Sequence, residues 1–252
     1  MSSSGRYAKH KKPESGDIFH TKTGSKIRVI EYIDSGRVVI EHLGFKNYKT
    51  EVASARLRSG SIKNLYEPTV YGVGFFGEGD YVATIDGKYT SEYEAWSGMI
   101  RRCYDEKSLK KRPNYSDVTV STDWHNFQVF AEWYTNQHEY GKGYHLDKDI
   151  LNPSSKMYSP ENCRLVPMHI NLLLMDSRSD VGVKFHKRDK VFEVVTTVDG
   201  EKKYLGRFLD KSEAHQTYKV AKEIEVKRVA KHYKEVICSD IFTALMNWRV
   251  VV

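Results

Sequence analysis

Three polar side chains stand around two proline-marked turns in LDKDILNPSSKMYSPENCRLVPMHINLLL, residues 146–174: Asp147, Asn162 and Asn171. The pattern predicts a strand, a polar loop, a second short strand and a helix that Pro167 opens. A unit of this order can bring a carboxylate from its first strand and an amide from its helix to one point. Hard cations such as Mg²⁺ bind oxygen atoms and keep several waters, so an Asp and an Asn suffice when a substrate phosphate supplies the rest. The stretch indicates either a metal site that acts on phosphodiesters or a polar scaffold of similar composition.

Two helices are predicted before this stretch. In SEYEAWSGMIRRCYDE, Ser91 and Glu94 form a capping box, and apolar side chains follow at helical spacing. In DWHNFQVFAEWYTNQH, Asp123 is predicted to cap a second helix with an apolar stripe of Trp124, Phe127, Phe130 or Ala131, and Tyr134. Aromatic side chains at that spacing are far more often core than ligand cage.

These motifs resemble the phage-type H-N-H (ββα-metal) nucleases, in which a W-x-x-M-x-x-R-C-Y helix precedes an L-D-x-D/I segment and a Y-S-P-E-N-C-R core. The chain carries both, over about residues 85–175: Trp96, Met99, Arg102–Tyr104, Leu146, Asp147, Asp149 and Tyr158–Arg164. The resemblance implies that Asp147 and Asn171 hold one Mg²⁺ or Mn²⁺ per active site, without zinc. It also implies that Asn162 braces the loop and that a metal-activated water cleaves the phosphodiester.

The position after the metal-binding Asp differs from the family. Active relatives with the His form of the motif carry there the His that activates water, and this chain has Lys148. An unperturbed Lys has a pKa of about 10.4 and is protonated at neutral pH. Three interpretations stay open: His145, on the same strand face as Asp147, acts as the base; Lys148 steadies the phosphate or leaving oxygen; or the fold has lost cleavage and kept DNA binding.

Residues 181–229 predict three antiparallel strands followed by a helix. The strand runs are 181–186, 191–198 and 203–208, and Asp199-Gly200 is a strong hairpin signal between the last two. Asp210 is predicted to cap the helix, with Glu213 completing a capping box.

This β-β-β-α order, with Tyr204–Phe208 as its most specific piece, resembles the DNA-binding domain of plant ethylene-response (Apetala-type) factors. That domain also occurs fused to H-N-H nucleases in phages. The resemblance implies that the sheet enters a major groove about 12 Å wide. The candidate DNA contacts are Lys184, His186, Lys187, Arg188, Lys190, Thr196, Thr197, Lys202, Lys203, Tyr204 and Arg207. An ordinary solvated Lys/Arg face is the alternative.

The N-terminal part changes to short alternating runs such as IRVIEYI and RVVIEHL, separated by Gly-centred turns. Alternation at period two predicts a small β-barrel or curled sheet over residues 17–75. Residues 1–16 are predicted to be a flexible basic arm. The apolar tail, residues 236–252, is expected to dock on the body or on a partner subunit.

Composition narrows the class of protein. The formal charge of +7 suits a polyanionic partner, of which nucleic acid is the leading candidate, and the two resemblances imply double-stranded DNA. The charge alone also fits a membrane surface, an acidic protein or an ordinary Lys-rich soluble protein. The three cysteines form no C-x-x-C pair, which argues for a reducing compartment and against a zinc cluster. No window approaches the run of about 18 apolar residues that a membrane span needs. We therefore expect no membrane partner and a cytoplasmic location, in the bacterial host if a phage encodes the protein.

The sequence thus predicts a modular α+β protein. Its parts are an arm (1–16), a small all-β module (17–75), an H-N-H-like core with flanking helices (85–175), an Apetala-type domain (180–235) with MDSRSD as the preceding linker, and the tail (236–252). The expected activity is a phage or mobile-element DNA endonuclease that nicks one strand, with no small-molecule cofactor. A catalytically inactive DNA-binding regulator is the alternative, and a host-defence inhibitor or adaptor that binds protein is a third class. No dimer signature is present, and the oligomeric state stays open.

Overall fold

The computed structural model describes residues 11–137, 140–175 and 182–250. The predicted arm up to residue 10, the linker from 176 to 180 and the last two residues of the tail lie outside these ranges. The fold is mixed α+β with several small sheets, which confirms the predicted class. Of the helices in these ranges, none combines the length and apolar character needed to cross a membrane. The chain divides into two compact units, Met1–Tyr81 with His125–Gln128, and Val82–Trp124 with Val129–Val252.

The first unit contains a four-stranded antiparallel sheet in chain order. Its strands are β1 (Ile18–His20), β2 (Lys26–Tyr32), β3 (Val38–Leu43) and β4 (Tyr48–Val52), followed by helix α1 (Ser54–Ser59). Alternate side chains of β2 and β3 are buried with Leu57 of α1, as period-two patterning predicts. Gly60 ends α1 at φ +64, and a Cβ there would lie 2.9 Å from the carbonyl oxygen of His20.

The second unit begins with the hairpin β5 (Thr84–Ile85) and β6 (Lys88–Tyr89), followed by α2 (Ser91–Tyr104) and α3 (Glu106–Lys111). Thr90, rather than Ser91, caps α2, and its hydroxyl accepts the Tyr93 N–H at 3.4 Å. Ser91 is already the first helical residue, which is why the predicted cap was wrong by one position.

After a 3₁₀ turn (Pro113–Tyr115), strand β7 (Thr119–Val120) and a second 3₁₀ turn (Thr122–His125), helix α4 runs over Phe127–Thr135. The predicted Asp123 cap is wrong, because Asp123 lies in the 3₁₀ turn. Asn126 instead accepts the Gln128 N–H at 3.0 Å. The predicted apolar stripe of α4 is buried throughout, which confirms its role as core.

The polar stretch folds as strand, loop, strand and helix. Strands β8 (His145–Asp147) and β10 (Arg164–Val166) pair antiparallel, with Asp147 opposite Arg164. Between them, β9 (Met157–Tyr158) pairs parallel with β7. Helix α5 (Met168–Met175) follows directly and lies against β8.

The C-terminal part has three antiparallel strands and two helices. The strands are β11 (Val183–His186), β12 (Val191–Val198) and β13 (Glu201–Phe208), with β12 in the centre. Asp199 and Gly200 both have positive φ at the β12–β13 turn, as the hairpin signal predicts. Asp210 caps helix α6 (Lys211–His232) by accepting the Glu213 N–H at 2.8 Å, and α7 (Ser239–Asn247) follows. The predicted apolar tail is largely this helix, and it docks on the same unit through buried Ile241 and Leu245.

Candidate functional site

Asp147 ends β8 and turns the chain into the loop that follows. Its Oδ1 accepts the N–H groups of Asp149 at 2.9 Å and Ile150 at 2.7 Å. These two bonds turn the backbone away from β10, so the strand ends at Asp147. The other carboxylate oxygen accepts no hydrogen bond from any described residue, so it is available to a ligand.

Burial raises the pKa of the Asp147 carboxyl, partly offset by the hydrogen bond from the Ile150 N–H. A carboxylate in such a place is stabilised by a nearby positive charge. The residue therefore fits a cation ligand in both charge and donor type.

Asn171 lies on α5, where its N–H donates to the Pro167 carbonyl at 3.1 Å. Its neighbours Ile170 and Leu173 are buried in the core, which fixes the helix against β8. The side-chain amide of Asn171 is half-buried and makes no hydrogen bond within the described ranges. The strand that carries Asp147 is therefore in contact with the helix that carries Asn171. Each of these two side chains has an oxygen atom that accepts no hydrogen bond from the described residues.

His145 is exposed and shares a strand face with Asp147, because Leu146 between them points to the opposite side. It pairs in register with Val166 of β10. An exposed imidazole thus lies two residues from the candidate ligand and is open to solvent.

Lys148 lies inside the loop, with its side chain only 8% exposed. Its ammonium donates to the Asp149 carboxylate and to the Ser155 carbonyl at 3.3 Å, and it lies 5.9 Å from the centre of the Tyr158 ring. Two of its three N–H donors are therefore committed to partners inside the loop, and the side chain is almost fully buried. The structure thus places Lys148 as a brace within the loop.

Asn162 braces the turn between β9 and β10. Its Nδ2 donates to the Met157 carbonyl at 3.3 Å, and the side chain is half-buried. Lys148 and Asn162 therefore brace the two segments that flank β9, the first through the Ser155 carbonyl and the second through the Met157 carbonyl.

The sequence analysis missed the ion pair that Arg164 forms. Its guanidinium donates through Nε to Asp240 of α7 at 2.8 Å, and its second nitrogen lies 2.8 Å from the same carboxylate oxygen. A third nitrogen donates to the carbonyls of Pro160 and Cys163. The motif drew attention to Arg164, but nothing in the sequence connects it with a carboxylate 76 positions away.

The helix α2 supports the same loop. The Arg102 guanidinium lies 5.6 Å from the centre of the Tyr158 ring, so the two quoted motifs touch. Nearby, burial raises the pKa of Cys103 to about 11 and that of Cys163 to about 12. These thiols are protonated at neutral pH and are poor metal ligands.

Within the described ranges, no three His, Cys, Asp or Glu side chains come together as a metal cluster. The candidate ligand set is one carboxylate and one amide. Such a set suits Mg²⁺ or Mn²⁺, which would complete their shells with water and phosphate oxygens.

The second candidate surface is the outer face of the β11–β12–β13 sheet. Residues directly opposite in an antiparallel pair share a face, so register assigns the side chains. Glu193 lies at the centre, with the Arg207 guanidinium at 3.3 Å and the His186 imidazole at 3.6 Å. The face also carries Lys184, Thr197, Lys202 and Tyr204.

Two predicted contacts do not lie on this face. Thr196 is 4% exposed and shares the α6 side of the sheet with buried Val194, so its predicted DNA contact is wrong. Lys203 is opposite Thr196 in register and therefore projects from the same α6 side, although it is exposed. Lys187, Arg188 and Lys190 lie in the β11–β12 turn, where the Arg188 side chain is 92% exposed.

Comparison of the chain with protein-family models, curated proteins and solved structures gave no match. The functional assignment therefore rests on the two motifs and on the geometry of these two surfaces.

Proposed function

We propose that this protein is a DNA endonuclease of the H-N-H type, of phage or mobile-element origin, that nicks one strand of duplex DNA. The observation that carries the proposal is the contact between β8 and α5, which bear Asp147 and Asn171 within the quoted motif. In this proposal the core is a ββα-metal unit built from β8, β10 and α5.

Bound Mg²⁺ or Mn²⁺ would supply Lewis acidity at the scissile phosphate and lower the pKa of an attacking water. Asp147 and Asn171 would hold the ion through their oxygens. His145 would take the proton from the water, since it is exposed and shares a strand face with Asp147. Lys148 and Asn162 would keep the loop closed through the contacts described above, without touching the phosphate.

The β11–β12–β13 sheet is proposed to bind the duplex in the manner of Apetala-type domains. The basic and aromatic side chains on its outer face support this, because phosphate contacts and groove contacts need them on one side. Arg188 and its neighbours in the β11–β12 turn would add contacts to phosphate.

A second candidate function is DNA binding without cleavage. The burial of Lys148, at the position where active relatives carry His, favours it. A cleavage assay separates the two functions, because both require salt-sensitive DNA binding and only the first requires a metal.

The test is cleavage of supercoiled plasmid with Mg²⁺, Mn²⁺ or EDTA. Asp147→Ala and Asn171→Ala are expected to abolish metal-dependent open circles, and His145→Ala to lower the rate roughly 10²-fold or more. Asn152→Ala, an exposed amide in the same loop, is the matched control. Wild-type protein that binds DNA and yields no nicks on plasmid or on duplexes selected for binding would refute the enzyme and leave the binding protein.

A further inference from the structure

Helix α6 belongs to two hydrophobic cores at once. Tyr218, in its N-terminal half, packs with Val194 of the sheet. Val229, in its C-terminal half, packs with Val166 of β10 and Ile170 of α5. The N-terminal half of α6 therefore packs against the candidate DNA-binding sheet, and its C-terminal half packs against the candidate metal unit.

The helix between these cores offers no bending point. It runs unbroken for 22 residues from Lys211 to His232, without Gly or Pro. Tyr218 and Val229 are about three turns apart, so the two packing sites are separated by about 16 Å along the helix axis.

The tip of the β12–β13 hairpin is attached to the C-terminal half of the same helix. Arg228 pairs with Glu225 at 2.7 Å and also with the Asp199 carboxylate at the hairpin turn. The backbone N–H of Asp199 donates to Glu225 at 3.4 Å. The sheet is thus held at both ends of α6, which prevents it from pivoting about Tyr218.

The C-terminal segment, residues 239–250, connects the two cores a second time; we call it the clasp. Ile241 and Leu245 of α7 are buried in the core that contains Val229. Val250 is buried in the core that contains Tyr218, and Trp248 packs against both cores.

Glu223 of α6 anchors the end of the clasp. It accepts the Val250 N–H at 3.2 Å, and the Arg249 guanidinium lies 3.6 Å from its carboxylate.

We infer that the sheet and the β8–β10–α5 unit form one rigid frame, which presents the duplex held by the sheet to the metal site at a single fixed displacement. The inference rests on the proposed function for its DNA, while the frame itself rests on α6 and the clasp. The substrate it implies is one continuous duplex that carries the recognised sequence and the cut site together.

The frame is tested first by the distance between nitroxide labels on Glu201→Cys of β13 and Ser154→Cys of the loop, measured by double electron–electron resonance. Cys238→Ser removes the partly exposed thiol, and Cys103 and Cys163 are buried. We expect one narrow distance peak. Six Gly/Ser residues inserted after Arg178 are expected to leave it unchanged, because α6 and the clasp, rather than that connection, set the distance.

Glu223→Ala, which releases the end of the clasp, is expected to broaden the peak, whereas Glu235→Ala, at an exposed Glu outside it, is not. A broad wild-type distribution, or one that the insertion broadens, would overturn the inference whether or not the protein cuts DNA. If Glu223→Ala does not fold, the wild-type and insertion results still decide the question.

The DNA side is tested with iron–EDTA attached to Ser154→Cys, on a duplex selected for binding from a random library. Cleavage by the tethered iron is expected in one narrow window at a fixed offset from the footprint centre, and this window should be unchanged by the insertion. Scattered cleavage would overturn the fixed displacement. A narrow label distance with no binding to any duplex would instead refute the proposed function and leave the frame standing.

Discussion

The guanidinium of Arg164 and the carboxylate of Asp240 join the Y-S-P-E-N-C-R motif to the last helix of the chain, with two N···O distances of 2.8 Å. Asp240 also accepts a hydrogen bond from the Cys238 thiol at 2.8 Å. The candidate site is therefore supported by α7, a segment outside both of the motifs quoted from the sequence.

This pair predicts an acid-sensitive contribution to stability. Burial acts to raise the pKa of Asp240, but the hydrogen bonds from Cys238 and Arg164 outweigh it and lower the pKa below the ordinary value. The stabilisation is therefore present above the unfolded pKa of about 3.9 and is lost as the pH falls through the lower folded value.

Asp240→Asn is accordingly expected to lower the free energy of unfolding by about 1 kcal/mol at neutral pH, since partly exposed pairs contribute modestly. The difference from wild type should shrink in acid below about pH 3. Thermal unfolding at the two pH values measures this, with Asp117→Asn, from the exposed Lys156 pair, as the control. An undiminished difference in acid would contradict the ion-pair explanation.

Lys148→Ala is predicted to act through stability. The change removes the ammonium that holds Asp149 and Ser155, and it should lower the free energy of unfolding by about 1–3 kcal/mol. In a double-mutant cycle with Asp149→Ala, measured by urea unfolding, the two effects should be less than additive. A large loss of cleavage with unchanged stability would instead show that Lys148 acts on the phosphate.

Two adjacent lysines on opposite sides of the sheet give a matched test of the proposed DNA-binding face. Lys202 pairs in register with Thr197 on the outer side, and Lys203 with buried Thr196 on the α6 side. Lys202→Ala should reduce the slope of log affinity against log salt by about 1, and Lys203→Ala should leave it nearly unchanged. Gel shifts across a salt series measure both slopes, and equal effects would argue for unspecific attraction by net charge.

Glu193 is predicted to weaken DNA binding in general, because it neutralises Arg207 and lies beside His186 at the centre of the same face. Glu193→Gln removes that negative charge and should raise affinity for random duplex DNA severalfold at low salt. Glu201→Gln, at the exposed start of β13, is the control. Unchanged affinity in the Glu193 variant would indicate that the duplex does not contact this face.

His42 predicts a pH dependence of the N-terminal sheet. Its ring is 1% exposed, stacks on Tyr48 with a centroid distance of 4.3 Å, and contacts the Thr50 hydroxyl at 3.2 Å. Burial lowers its pKa, so the folded state favours the neutral ring. The contribution of the neutral His42 ring to the free energy of unfolding is fully present above the unfolded pKa of about 6.5. It is lost as the pH falls through the lower pKa of the folded state. His42→Phe should remove this slope in urea unfolding of the whole chain between about pH 8 and pH 5, and a slope retained by that variant would assign it elsewhere.

The sequence by itself determined the local elements of this protein. Period-two alternation located the strands of the first sheet, Asp199-Gly200 located the hairpin turn, and Asp210 located the start of α6. These features depend on residues a few positions apart, so their physical cause is contained in the local sequence. The N-terminal ends of two helices were predicted wrongly. Thr90 and Asn126, rather than Ser91 and Asp123, accept the capping N–H groups.

Only the tertiary structure decided which side chains are buried and which elements share a core. Thr196 and Lys148 are polar residues that the sequence places on a face or in a loop, but their burial depends on α6 and on Ser155 and Tyr158 around them. The Arg164–Asp240 pair and the double packing of α6 arise from contacts between distant parts of the chain. Such contacts form because separate apolar faces must be buried together, and that requirement leaves no fixed spacing in the sequence.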